Sequence, residues 1–199
     1  MRKKIRDYRK NLSLHQVQTI SKKISDKIIQ LPEFVNSKKI AGYISDENEI
    51  DLFYLISHTR ECNKLLYLPV ISANHQLDFY LIDSTTQFIK NKFGMDEPVV
   101  DHQQAILPEK LDLILIPLVA FDIHCNRLGR GAGYYDRTLA FAKNKSIPQR
   151  PTLIGAAYEF QKVDNIIPES WDVPMDYVVT EEQIYQNHTP RHRTQHAIS

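Results

Sequence analysis

Leu113-Ile114-Leu115-Ile116-Pro117-Leu118-Val119-Ala120-Phe121 is apolar at every position, and a run of that kind, without polar alternation, reads as a strand shielded from water on both faces. Such a strand belongs in the interior of a sheet. Soon after it comes Arg127-Leu128-Gly129-Arg130-Gly131-Ala132-Gly133-Tyr134-Tyr135-Asp136, a turn crowded with glycine and arginine that leads into a helical pattern. Strand, glycine turn and helix, in that order, form the place where an α/β protein holds phosphate. Glycines let successive backbone N–H groups converge on an anion, because no Cβ blocks close approach or positive φ. Arg127 and Arg130 add charge and donors, and the following helix is expected to add the positive end of its dipole.

Two familiar nucleotide motifs are excluded. No Lys-Ser or Lys-Thr follows the glycines, as a Walker loop requires. The spacing is G-x-G-x-G well past mid-chain, not the early G-x-G-x-x-G of a dinucleotide fold.

The rest of the chain alternates strands and helices. Lys3 to Lys10 is short, basic and helical in propensity. Ser13 with Gln16 forms a capping-box pattern that starts a second helix, in which Val17, Ile20, Ile24, Ile28 and Leu31 share one face until Pro32 stops it. Strands are predicted over 40–44, 65–70, 77–81, 153–157 and 177–179, and Asp51 is predicted to cap a helix reaching toward Cys62. Leu139 and Phe141 to Ala142 carry the apolar face of the helix after the glycine loop. This order predicts an α/β fold with a mostly parallel sheet covered on both sides.

At 199 residues and a net charge of +1, the chain is expected to be a single domain and not a general nucleic-acid binder. No apolar stretch reaches transmembrane length and the first residues are charged, so a cytoplasmic location is expected, with no membrane partner. Cys62 and Cys125 read as free thiols. Residues 1–187 are expected to form the domain, and 188–199 a mobile basic tail whose histidines match no metal-ligand spacing.

The segment from Phe121-Asp122 through Arg127 to Asp136 resembles the signature of the 5-formyltetrahydrofolate cyclo-ligase (5,10-methenyltetrahydrofolate synthetase) family. The resemblance extends to the basic N-terminal helix, Asn48-Glu49-Ile50-Asp51, Phe93-Gly94-Met95-Asp96-Glu97-Pro98 and Val173-Pro174-Met175-Asp176. It implies a three-layer α/β/α architecture like that of sugar-phosphate isomerases and CoA transferases. It also implies an enzyme that uses ATP and Mg2+ to convert 5-formyltetrahydrofolate, with or without a polyglutamate tail, into 5,10-methenyltetrahydrofolate. No nucleic-acid partner is implied, and a monomer is expected.

Residue by residue, the resemblance makes the stretch Arg127, Leu128, Gly129, Arg130, Gly131, Ala132, Gly133, Tyr134 and Tyr135 the triphosphate cradle. Arg130 becomes the clamp nearest the transferring phosphoryl group, because a planar guanidinium holds two oxygens at once. Arg127 is either a second phosphate contact or a structural cap on the loop. Arg2 and Arg6 reach the nucleotide from one face of the N-terminal helix, with Lys3 as the alternative first partner. Asp136 and Asp176 become the metal carboxylates. Glu49 accepts from the pterin's N–H donors, Ile44 and Phe93 wall that pocket, and Tyr134 and Tyr135 either stack on one of the ligands or pack the helix start. Gln161 and Trp171 are read as structural. Competing readings are a phosphate-sensing module of similar fold and an RNA binder using the basic helix and tail.

Overall fold

The computed structural model describes residues 1–91, 94–143 and 150–188. Helices α1 (Arg2–Lys10) and α2 (Leu14–Ile28) come first. The capping box forms as the sequence predicts: the Gln16 N–H donates to Ser13 Oγ at 3.2 Å, and the Ser13 N–H donates to Gln16 Oε1 at 2.9 Å. Beyond the end of α2, Pro32 opens a further helix, α3 (Pro32–Asn36), since a first-turn position asks for no N–H. Next come β1 (Lys39–Ala41), α4 (Phe53–Glu61), β2 (Leu65–Ile71) and β3 (Leu77–Ile82). Asp51 Oδ1 accepts the Phe53 N–H at 2.9 Å, but the residue at the cap position of α4 is Leu52, one residue later than expected. A hairpin follows, β4 (Phe88–Lys90) and β5 (Asp96–Pro98), then β6 (Leu113–Ile116), β7 (Ala120–Phe121), β8 (Arg127–Leu128) and α5 (Tyr134–Thr138). The last strands are β9 (Thr152–Ala156), β10 (Tyr177–Val179) and β11 (Ile184–Gln186).

Seven of these strands form one sheet in the order β11-β10-β9-β6-β1-β2-β3. Its five inner strands pair in parallel, and the outer pairs β2/β3 and β10/β11 are antiparallel. Alternation along the central strand separates two cores. Leu113 and Leu115 pack with Ile24 and Ile28 of α2, Phe34 of α3 and Leu55 of α4. Ile114 and Ile116 pack on the other face with Phe121, Cys125 and Leu139. The predicted coverage of both faces is thus realised, with a thin second layer made of α5, the 3-10 turn Ala140–Lys143 and the β7/β8 ribbon.

The long apolar run is not one strand. It breaks at Pro117, which has no N–H for a sheet ladder, and Ala120–Phe121 leaves the sheet to pair with β8. The glycine loop therefore follows a two-stranded ribbon and not the buried strand itself. One close approach shapes this region: a Cβ added at Gly155 would lie 2.5 Å from Met175 Sδ and 2.6 Å from Leu118 Cδ2. Among the described residues, no helix is long and apolar enough to cross a membrane. Of the tail, only His188 falls within the described residues.

Candidate active site

The carboxyl ends of β1 and β6 open onto a cavity of about 1220 Å3. A single small-molecule pocket commonly holds roughly 300–1,000 Å3, so this one has room for two ligands side by side. Tyr43, Ile44 and Leu118 give it apolar wall, and Gly129 to Gly133 form its rim.

Gly131 (φ 110°) and Gly133 (φ 68°) hold left-handed backbone that a side chain would strain. The loop's carbonyls are tied by arginines from outside it: Arg2 Nε donates to the Gly129 oxygen at 2.9 Å and Arg137 Nη2 to the Ala132 oxygen at 2.7 Å. Because C=O and N–H of one trans peptide point opposite ways, these ties turn the N–H groups of Arg130 and Gly133 away from Arg2 and Arg137. Among the described residues, no acceptor takes the N–H of Gly131, Ala132 or Gly133. Helix α5 has only five residues, so its dipole adds little to this potential.

An acidic loop after β1 faces the glycine loop. Glu47 (φ 50°) and Asn48 (φ 56°) are both left-handed, an uncommon state for residues with a side chain. Helix α1 holds them there. Arg6 donates to Glu47 Oε2 through Nη2 at 2.6 Å, Lys10 pairs with Glu47 Oε1 at 3.1 Å, and Asn48 Nδ2 donates to the carbonyls of Arg9 and Leu12. Burial works to raise the Glu47 carboxyl, but the bonds from Arg6 and Lys10 outweigh it and bring its pKa to about 2.

Arg130 spans the gap between the two loops. Its Nη1 donates to Asp46 Oδ2 at 2.7 Å, and its Nε and Nη2 donate to Glu49 Oε1 at 3.1 and 2.9 Å. Glu49 is 6% exposed, and burial holds its carboxyl above the usual range despite Arg130 and Arg9 nearby. Burial also works against the charge on Arg130, but Glu49 and Asp46 outweigh it and raise the guanidinium. Arg127 lies deeper: its Nη2 donates to Asp136 Oδ1 at 2.6 Å, and burial lowers its pKa. The same Asp136 oxygen accepts the Val173 N–H at 3.2 Å, which brings Asp172 into the cavity wall. Arg127 Nε and the Tyr135 hydroxyl are buried with no hydrogen-bond partner among the described residues, and both residues line the cavity.

The model of the 5-formyltetrahydrofolate cyclo-ligase family matches residues 1–181. The chain belongs to that family. It is 39% identical to the 5-formyltetrahydrofolate cyclo-ligase of Haemophilus influenzae over 178 residues, which cover 88% of this chain and 92% of that protein. To the Escherichia coli K12 protein of the same name it is 31% identical over 186 residues, covering 92% and 99%. The NMR structure of Aquifex aeolicus 5,10-methenyltetrahydrofolate synthetase superposes with a TM-score of 0.80 at 34% identity, covering 98% of this chain and 97% of that one. A 5,10-methenyltetrahydrofolate synthetase from Mycoplasma pneumoniae gives 0.70 at 28% identity, covering 91% and 96%.

As a cyclo-ligase-family site, the cavity gathers most of the residues singled out by sequence: Arg2, Arg127 through Asp136, Ile44 and Glu49 all line it. Lys3 does not, and Arg6 is turned to Glu47, so only Arg2 of the N-terminal trio reaches the glycine loop. Phe93 lies outside the described residues, although Met95, Asp96 and Glu97 of the same segment line the cavity.

Asp176 lies apart from these residues. It is not among the lining residues; its carboxylate accepts from Arg150 Nη2 at 2.9 Å and from the Leu153 N–H at 2.8 Å, fastening the start of β9. Asp172, four residues earlier, stands in the wall instead. Gln161 is structural as expected, buried and bonded to the carbonyls of Leu118 and Val119. Trp171 is 63% exposed and lines the cavity. Cys125 is buried, with its thiol pushed up to about 12 by that burial, so it stays protonated and inert.

Proposed function

We propose that the chain catalyses the ATP-dependent cyclisation of 5-formyltetrahydrofolate to 5,10-methenyltetrahydrofolate, with release of ADP and phosphate. The observation that carries this reading is Arg130 bonded to Glu49 across one cavity, because it joins groups suited to a triphosphate with groups suited to a pterin edge. The relatives named as cyclo-ligases support it. We read the enzyme as cytoplasmic and monomeric, with residues 1–187 as its single domain.

A formamide is a poor electrophile without a leaving group, so the formyl oxygen is phosphorylated, N10 attacks the activated carbon, and phosphate departs. The chain's work is positioning and charge stabilisation. The free N–H groups of Gly131 to Gly133, with Arg2, hold the triphosphate. Arg130 exchanges its carboxylate partners for the transferring phosphoryl oxygens, which carry more charge. Glu49 is then free to accept the adjacent N–H donors of the pterin ring against the wall of Tyr43 and Ile44. Arg6 acts indirectly, by docking α1 on Glu47. Arg127 caps the loop from within.

The wall fits a divalent cation held by two carboxylates together with phosphate oxygens. Asp136 and Asp172 each have one oxygen engaged by protein donors, Oδ1 and Oδ2 respectively, which leaves Asp136 Oδ2 and Asp172 Oδ1 facing no protein partner among the described residues. Mg2+ asks little more of a protein than this, because it keeps water and phosphate oxygens in its shell. Bound there, Mg2+ neutralises charge on the phosphates.

The test is optical. Purified protein mixed with 5-formyltetrahydrofolate, ATP and Mg2+ is expected to produce the absorbance of the methenyl product, and a chelator is expected to stop it. Asp172→Asn is expected to raise the Mg2+ concentration needed for half-maximal rate, whereas Asp176→Asn leaves that concentration unchanged and lowers the melting temperature. No product from folded, nucleotide-binding protein would overturn the reading.

A further inference from the structure

The chain has a single tryptophan, and it is not used as core. Trp171 lines the cavity with 63% of its surface exposed. Its backbone is fixed nevertheless. The Asp172 N–H donates to the Glu169 oxygen at 3.0 Å and the Glu169 N–H donates back to Asp172 Oδ2 at 2.8 Å, which closes the turn at both ends. Lys143 Nζ donates to the Ser170 oxygen, and the Val173 N–H ties the turn to Asp136. A large aromatic held out at the tip of a fastened turn loses little freedom when a flat ligand covers it.

The contacts also rank positions along the cleft. Glu49 is the deep end, at 6% exposure. Arg130, with a 33% exposed side chain, bridges from it to the glycine loop, and Trp171, next to Asp172 and 63% exposed, stands at the mouth. A phosphoryl group that reaches a substrate on Glu49 must present its terminal phosphate to the deep end, so the nucleoside leaves the cradle toward the mouth. The π-face waiting there is Trp171. We propose that Trp171 is the platform on which the base of the nucleotide stacks, making it the residue that positions the nucleoside end of the phosphoryl donor. The inference rests on the cyclo-ligase reading for the direction of the triphosphate.

Because Trp171 is the only tryptophan, intrinsic emission of the wild-type protein reports on it directly. ADP with Mg2+ is expected to quench and shift that emission, and inorganic tripolyphosphate, shown to be bound by its inhibition of turnover, is expected to leave it unchanged. In steady-state kinetics Trp171→Ala is expected to raise the KM for ATP about tenfold, the scale of one base-aromatic stack. The KM for 5-formyltetrahydrofolate should stay put, and Trp171→Phe should recover most of the loss. Equal quenching by tripolyphosphate would mean movement of the turn and not stacking, and would overturn the proposal. So would a Trp171→Ala variant whose KM rises for the folate instead of for ATP. Absence of methenyl product from wild-type protein would instead remove the cyclo-ligase reading, while the ADP titration still decides on the stack.

Discussion

Arg127 and Arg130 stand three residues apart on one loop and border one cavity, yet their surroundings divide them. Arg127 keeps 4% of its side chain exposed and pairs with Asp136, and burial lowers its pKa. Arg130 keeps 33% exposed, shares itself between Asp46 and Glu49, and has its pKa raised by them. Partners of a buried guanidinium cannot leave without stranding it, whereas a cation half in water exchanges partners at small cost. The two residues therefore answer the same motif with different work: Arg127 builds the loop, and Arg130 is available to a ligand.

Three measurements put that contrast to the test. The largest effect is expected from Arg127→Ala, which leaves Asp136 in the wall without its cation. Loss of one partner of a buried pair removes about 3–5 kcal/mol of stability, readable by denaturant unfolding, and an unchanged midpoint would place Arg127 with Arg130 as an adaptable group. Arg130→Ala is expected to lower kcat by about 10²–10³-fold, or roughly 2.7–4 kcal/mol of barrier, with a smaller loss of stability than Arg127→Ala because Arg9 stays beside Glu49. A variant that only raised the KM for ATP would make Arg130 a plain binding contact.

The smallest effect concerns the acid that docks α1. Glu47→Gln is expected to cost about 1 kcal/mol at neutral pH. The Glu47 carboxyl is depressed to about 2 from an ordinary 4.5, so the folded state favours its charged form. Its contribution is present above pH 4.5 and disappears as pH falls toward 2, and the wild-type and Glu47→Gln unfolding curves should converge over that window. Curves that stay parallel would show that the Arg6 and Lys10 contacts contribute nothing through charge.

Features legible in the sequence are those whose physics is local. The Ser13/Gln16 box and the turn at the glycines each depend on residues a few positions apart, and each forms. The alternation of strands and helices carried the mostly parallel sheet for the same reason. What stayed hidden depends on contacts across the chain. Asp46 matters because Arg130 reaches it from 84 residues away, and Arg6 turns from the cavity because a left-handed Glu47 intercepts it. Asp172 and Asp176 lie four residues apart, and they are separated by long-range contacts: the Val173 N–H bonds Asp136 beside the cavity, while Arg150 and the Leu153 N–H engage Asp176 away from it. Pro117 was the one visible warning that the long apolar run would not stay in a single strand.

The bare Cα at Gly155 has a reach beyond its own strand. Leu118, the side chain it admits to within touching distance, is at the same time part of the cavity lining, so a methyl group added at Gly155 would displace that leucine. The width of the chamber is thus tied to a backbone position that does not itself line it, and Gly155→Ala would resize the wall through Leu118.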